Sequence, residues 1–148
     1  VPDKKIIEKF LNHNFFSRLP PKSLDRNSFI NLYDELMRNN FSLSNGLATL
    51  SHFTLETIII GLNILPKKIK NILITGGGCR NLFLMKCLKE RLNVNFLDEN
   101  DVKIDFDYIE SELIAFLSCR SFYNLPITFP STTGVPRETT GGEIYNFL

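Results

Sequence analysis

Residues 70–81 read KNILITGGGCRN, and the rest of the chain is organised around them. The first six are mostly apolar and β-branched and predict a short strand over 70–75, while residues 82–92 carry leucines at helical spacing. A strand, a glycine turn and a helix in this order bring backbone N–H groups against a phosphate or a ribose in many α/β proteins. Three consecutive glycines leave no Cβ in the way, and Asn81 is placed to cap the helix and to reach a ligand. Such a turn is more often a plain connection, so the pattern alone leaves both interpretations open.

Length, charge and cysteine content narrow the class of protein. A chain of 148 residues predicts one domain, residues 1–148. A formal net charge of +1 gives no sign of the excess positive charge that nucleic-acid-binding proteins use to contact phosphates, so we expect no nucleic-acid partner. We expect no membrane partner, since no apolar stretch is long enough to span a bilayer and the N-terminus is unlike a signal peptide. The three cysteines lack C-x-x-C spacing, which suits a reducing cytoplasm, and no residue spacing predicts a metal site. The chain starts at Val1 without an initiator methionine, which fits a piece of a longer protein.

Three helices are predicted before the glycine turn. The first covers residues 4–14, and the second runs from a cap at Asp25 or Asn27 to about Met37. The third begins after Ser42 or Ser44 and is closed by Pro66. Its apolar stripe is predicted to consist of Leu47, Leu50, Thr54, Ile58, Gly61 and Leu65. His52 beside this stripe is expected to be satisfied locally rather than to act as a catalytic base.

After the turn, residues 93–97 alternate like a strand, and residues 98–101 form an acidic run that we expect to be a solvated turn. A helix is predicted from about Asp107 to Tyr123, with Glu110 and Glu112 in its first turns, where the helix dipole favours them. Its predicted apolar stripe is Ile109, Leu113, Phe116 and Leu117. The tail from Pro126 is rich in Pro, Thr and Gly and predicts a loop that ends in a packed segment at Ile144 and Tyr145.

Several stretches resemble one family when they are taken in order. Pro20-Pro21-Lys22-Ser23 with Arg26 and Phe29 is similar to a connector of the anhydro-N-acetylmuramic acid kinases, and Gly76-Gly77-Gly78-x-x-Asn81 is similar to their nucleotide-binding turn. Residues 48–54 resemble the long helix before that turn. Glu112 with Ala115-Phe116 resembles a stretch with a sugar-contacting carboxylate, and Pro130-Ser131-x-Thr133-Gly134 resembles the tail signature.

The resemblance implies a fold and a set of roles. The family belongs to the actin, Hsp70 and hexokinase superfamily, so it implies an α/β, ribonuclease-H-like ATPase lobe, helix-rich with a short sheet. ATP and Mg are the implied cofactors, and 1,6-anhydro-N-acetylmuramic acid, recycled from peptidoglycan, is the implied sugar. Gly76, Gly77, Gly78 and Asn81 are then the nucleotide-contacting residues, and Glu112 is the sugar-contacting residue, with Glu110 as a second candidate.

The resemblance covers only the C-terminal lobe of such a kinase. The expected catalytic base and the two phosphate loops match nothing here, so no residue is assigned as catalytic, and phosphoryl transfer by this chain alone is not expected. Leu24-Asp25 replaces the usual Thr-Gly of the connector, and Leu113 and Leu117 replace alanines. Three hypotheses follow: one product of a split gene that binds its N-terminal lobe on a separate chain, a degenerate remnant, or a nucleotide-binding or oligomerising module, for example a homodimer.

Overall fold

The computed structural model describes residues 1–145 and is rich in helix, with one short sheet. This confirms the coarse α/β prediction. The α-helices are α1 (Lys4–Leu11), α2 (Asn14–Ser17), α3 (Ile30–Arg38), α4 (Leu43–Asn63), α5 (Leu82–Arg91), α6 (Glu99–Val102), α7 (Ile109–Phe122) and α8 (Pro130–Thr133). The strands are β1 (Asn71–Leu73) and β2 (Asn95–Leu97), and 3₁₀ turns cover Arg26–Phe29 and Gly77–Arg80.

Contacts divide the chain into two compact units. Unit 1 comprises Val1–Leu19 and Leu24–Leu97. Unit 2 comprises Pro20–Ser23 and the residues from Asp98 onward.

The larger core of unit 1 lies among its first four helices. Phe53 of α4 meets Phe16 and Phe29 edge to face, with ring centroids 6.2 and 5.1 Å apart, and Phe16 stacks on Phe29 at 5.6 Å. Each such pair contributes about 0.5–1.5 kcal/mol beyond its burial. The buried members of this core are Ile6, Ile7, Phe16, Leu32, Leu36 and Phe53.

The first helix is shorter than predicted. It ends at Leu11, and His13 starts a second helical turn because its Nδ1 accepts a hydrogen bond from the Phe15 N–H at 3.2 Å. Local side-chain bonding to backbone competes here with continuation of α1. The break lets Phe16 enter the core.

The long helix α4 confirms the predicted cap but not the predicted stripe. Ser42 caps it, with its Oγ accepting from the Asn45 N–H at 3.3 Å. The buried side chains are Thr49, Phe53 and Leu55, whereas Leu47 and Thr54 are exposed. The helix packs against α1 and against α5, so two of its sides are covered and a single stripe cannot describe its burial.

The predicted strands on either side of α5 are confirmed with shorter bounds. β1 and β2 pair in parallel, Ile72 opposite Phe96, and α5 connects them as a βαβ unit. Leu84 and Leu88 of α5 are buried with Leu55 of α4 in a second core, in which Leu88 is fully enclosed.

The acidic run 98–101 in unit 2 is exposed, as predicted, but it is not a turn. Asp98 is the N-cap of the one-turn helix α6, which contains the other three residues of the run. Asp98 Oδ1 accepts hydrogen bonds from the N–H groups of Asn100 and Asp101 at 2.9 and 3.1 Å. The Oδ2 atom of Asp101 in turn accepts a hydrogen bond from the Asp98 N–H at 2.9 Å. These carboxylates therefore close a capping box.

Two further predictions for unit 2 are wrong. Helix α7 forms where expected, but none of its residues is buried, so its apolar stripe is not a core face. Ile144 and Tyr145 are exposed rather than packed. The tail instead forms the short α8 and an antiparallel bridge between Thr128 and Thr139.

The tail also contacts the C-terminal end of α7, where Arg120 Nε donates to Pro126 O and Ser121 Oγ donates to Gly141 O, each at 2.5 Å. Within residues 1–145, these contacts do not cover the whole length of the helix.

Candidate functional site

The glycine turn joins β1 to α5 in unit 1. Gly76 has φ 78° and ψ −179°, a conformation that side-chain-bearing residues rarely adopt. The chain then makes a 3₁₀ turn, with the Cys79 N–H donating to Gly76 O and the Asn81 N–H to Gly78 O, each at 3.1 Å. Glycine at position 76 is thus required by the backbone itself.

The other two glycines face open space. A Cβ built on Gly77 or on Gly78 would meet no atom of the protein within 4 Å. Neither glycine is needed to relieve a clash inside the fold, so the bare backbone remains accessible to a ligand at this turn. This is the geometry that lets backbone N–H groups approach a phosphate.

The structure confirms the prediction that Asn81 caps α5. Its Oδ1 accepts a hydrogen bond from the Leu84 N–H at 3.1 Å at the start of α5. The side chain is exposed at the end of the glycine turn. Since the oxygen is engaged by the helix, the side-chain amide nitrogen is the group that would address a ligand.

Glu110 and Glu112 lie in the first turn of α7 in unit 2, and both are exposed. The Glu112 N–H donates to Tyr108 O at 2.8 Å, which fixes its backbone in the helix. Residues two apart point to different sides of a helix, so the two carboxylates cannot engage the same small ligand together.

The connector and the tail signature meet in unit 2, a contact that the sequence did not predict. Gly134 ends α8 with φ 77°, and a Cβ built there would lie 3.1 Å from the carbonyl oxygen of Pro21. Thr133 is held by Thr128, with 2.6 Å between their Oγ1 atoms. Glycine at 134 therefore allows two distant segments to touch.

Among the described residues, clefts also lie away from the glycine turn. One in unit 1, of about 460 Å³, has a floor that includes His52 and the ion pair of Arg91 with Glu56, whose Nη1–Oε1 distance is 2.9 Å. His52 Nδ1 lies 3.1 Å from Ala48 O and its ring packs on Phe83, as the expectation of local satisfaction requires. Another cleft, of about 410 Å³, lies along α7.

Across residues 1–145, no group of three or more His, Cys, Asp or Glu side chains is arranged to hold a metal ion. In the same residues, no helix has the length and apolar content needed to cross a membrane.

Comparison with known proteins gives the family. The family model described as anhydro-N-acetylmuramic acid kinase matches residues 2–147. The chain belongs to the anhydro-N-acetylmuramic acid kinase family. This confirms the resemblance drawn from the connector, the glycine turn and the tail.

Individual relatives agree with the family model. An anhydro-N-acetylmuramic acid kinase of Zymomonas mobilis is 39% identical over 140 residues, which is 95% of this chain and 37% of the relative. Kinases of the same name from Brucella anthropi and Rhodopseudomonas palustris are 39% identical over 142 and 141 residues, each again with 37% of its length covered. The chain thus spans a little over a third of the length of the curated relatives that it matches.

Proposed function

We propose that this chain supplies the nucleotide- and sugar-contacting part of an ATP-dependent anhydro-N-acetylmuramic acid kinase that acts in cytoplasmic recycling of the cell wall. The observation that carries the proposal is the glycine turn of unit 1, which presents open backbone at Gly77 and Gly78 in a chain whose relatives are named as kinases. Residues 1–148 would form its C-terminal lobe, with the N-terminal lobe supplied by further polypeptide.

The βαβ unit supports the proposal that this chain folds as a ribonuclease-H-like lobe. In open α/β sheets, ligands bind beyond the carboxyl ends of parallel strands. The glycine turn follows the carboxyl end of β1, and β2 runs parallel beside it. The turn is therefore at the edge where a nucleotide would be expected.

On the nucleotide side, the backbone at Gly76, Gly77 and Gly78 would approach the phosphates or the ribose of ATP, and Asn81 would donate from its amide nitrogen. This role depends on the open space beside Gly77 and Gly78, which a Cβ at either position would fill. Among residues 1–145, no group of three or more His, Cys, Asp or Glu side chains is arranged to hold a metal ion, so no residue of this chain is proposed as a Mg²⁺ ligand.

On the sugar side, Glu112 would accept hydrogen bonds from sugar hydroxyl groups. A carboxylate is an acceptor with two oxygens and suits this role. Glu110 is the alternative, and because the two residues face different sides of α7, only one of them would contact a given sugar. The catalytic base and the remaining charge stabilisation that phosphoryl transfer needs would come from outside this chain.

Calorimetric titration of the purified chain tests this proposal, with Mg-ATP alone and with Mg-ATP together with 1,6-anhydro-N-acetylmuramic acid. Saturable ATP binding would support the nucleotide role. Sugar binding that is lost in Glu112→Gln but kept in Glu110→Gln would support the assignment of Glu112. A folded chain that binds neither ligand, alone or with the missing part of a relative, would overturn the proposal.

A further inference from the structure

Helix α7 exposes large apolar side chains along its whole length. It spans 14 residues, and none of them is buried. We call four of these side chains, which are 53 to 65% exposed, the α7 surface: Leu113, Ile114, Phe116 and Phe122. A helix on the outside of a protein normally buries one apolar face and keeps polar groups on the other. Within the part of the chain that the structure describes, neither face of α7 is fully buried.

The α7 surface extends around the helix. Leu113 and Phe116 are three residues apart and share one side. Ile114 and Phe122 point to another side, where they line the apolar cleft of about 410 Å³ together with Ile127 and Ile144. A helix that is apolar on more than one side is typical of the interior of a larger protein.

We propose that the α7 surface is the interface for the rest of the kinase polypeptide, meaning the part of the family's chain that lies outside the match. This inference rests on the proposed function, because the occupant is the remainder of the same enzyme. The chain covers 37% of its Zymomonas mobilis relative, so more polypeptide lies outside the match than within it. That remainder is large enough to enclose a helix of four turns.

A second copy of the chain fits this surface less well. A two-fold dimer presents one patch to the same patch of its partner. The exposed apolar groups of α7 lie on more than one side, so several packing elements are needed to cover them. Exposed apolar patches of this kind mark interaction sites on soluble proteins.

Co-purification tests the inference directly. The full 148-residue chain is expressed with a tagged segment of the Zymomonas mobilis relative that comprises the residues outside the match, and the Kd of the complex is measured. As a positive control, the segment of the same relative that aligns with this chain is expressed with the tagged segment. Binding between these two segments shows that the tagged segment is folded and able to bind. The variant pair Ile114→Ser with Phe116→Ser is compared with the pair Met37→Ser with Leu43→Ser, which changes two apolar residues of unit 1 that are also exposed.

We expect a one-to-one complex that the α7 pair weakens at least about tenfold, as removal of central apolar contacts does, and that the unit 1 pair leaves within about threefold. Absence of a complex with this chain, when the relative's own segment binds, would overturn the inference. Equal weakening by the two pairs, or a self-dimer of the isolated chain that only the α7 pair abolishes, would overturn it as well. A complex that forms through α7 but binds no ATP would instead count against the proposed function alone.

Discussion

Asn81 Oδ1 accepts a hydrogen bond from the Leu84 N–H at 3.1 Å, so the residue that ends the glycine turn also starts helix α5. This couples the stability of the βαβ unit to the conformation of the proposed nucleotide-binding turn. The two roles of Asn81 use different atoms and are separable by substitution.

Replacing Asn81 with alanine should cost about 1 kcal/mol of unfolding free energy, because the helix loses its cap. Asn81→Ser should keep most of that stability, since serine is also a good cap, but it lacks the side-chain amide. Urea unfolding of both variants measures the cap. ATP affinity that is unchanged in Asn81→Ser would contradict a nucleotide contact by the amide.

Leu88 is the fully enclosed residue of the second core, and Leu88→Ala should lower the unfolding free energy by about 2–5 kcal/mol. The matched control is Leu82→Ala in the same helix, where the side chain is exposed and a change within about 0.5 kcal/mol is expected. Thermal unfolding followed by circular dichroism compares the two. Equal effects would show that α5 does not pack as described.

Thr49 connects α4 to the start of α1. Its hydroxyl is buried, donates to Asn45 O at 2.8 Å and accepts from the Asp3 N–H at 3.0 Å. Thr49→Val keeps the shape but leaves that N–H without its acceptor, which should cost about 1–3 kcal/mol. Thr49→Ser keeps the hydroxyl and should lose only about 0.8 kcal/mol for the missing methyl group. A valine variant as stable as the wild type would contradict this hydrogen-bond network.

Two glycines should respond to alanine in opposite directions. Gly134→Ala should destabilise by about 1–2 kcal/mol because of its positive φ, and the carbonyl of Pro21 lies 3.1 Å from the new Cβ. Gly46→Ala lies inside α4 with open space around it and should stabilise by about 0.5–1 kcal/mol. Chemical denaturation of the two variants checks the signs, and a neutral Gly134→Ala would contradict the contact between connector and tail.

The parts of the fold that the sequence predicts are those set by local chemistry. The caps at Ser42 and Asn81 and the strands that flank α5 follow from neighbouring residues, and the structure confirms them. Asp25 instead caps the 3₁₀ turn Arg26–Phe29, and α3 itself begins at Ile30 without a side-chain cap. The end of α1 was missed because His13 offers the backbone a competing hydrogen bond, which helical periodicity does not register.

Burial was harder to predict than secondary structure. The pattern of α7 gives the helix correctly but not its exposure, because burial depends on what packs against it, and the described residues of unit 2 form no element that encloses it. The same limit holds for α4, whose burial is set by α1 and α5 together. At the candidate site, the sequence predicts the glycine turn because three consecutive glycines are visible in it. The contact of Gly134 with Pro21 joins segments more than 100 residues apart, and no local sequence pattern predicts it.

The most direct test of the proposed function is titration of Gly77→Val with Mg-ATP beside the wild type, in the chain alone and in complex with the remaining part of a relative. A Cβ built at this position has no atom within 4 Å beyond the two adjacent residues, so we expect a valine to leave the fold intact while it fills the space above the turn. Gly46→Ala serves as the control that changes a glycine far from the turn in sequence. We predict saturable ATP binding by the wild type and by Gly46→Ala, and at least about tenfold weaker binding by Gly77→Val. Equal ATP affinity in all three folded proteins would contradict a role for the glycine turn in binding nucleotide.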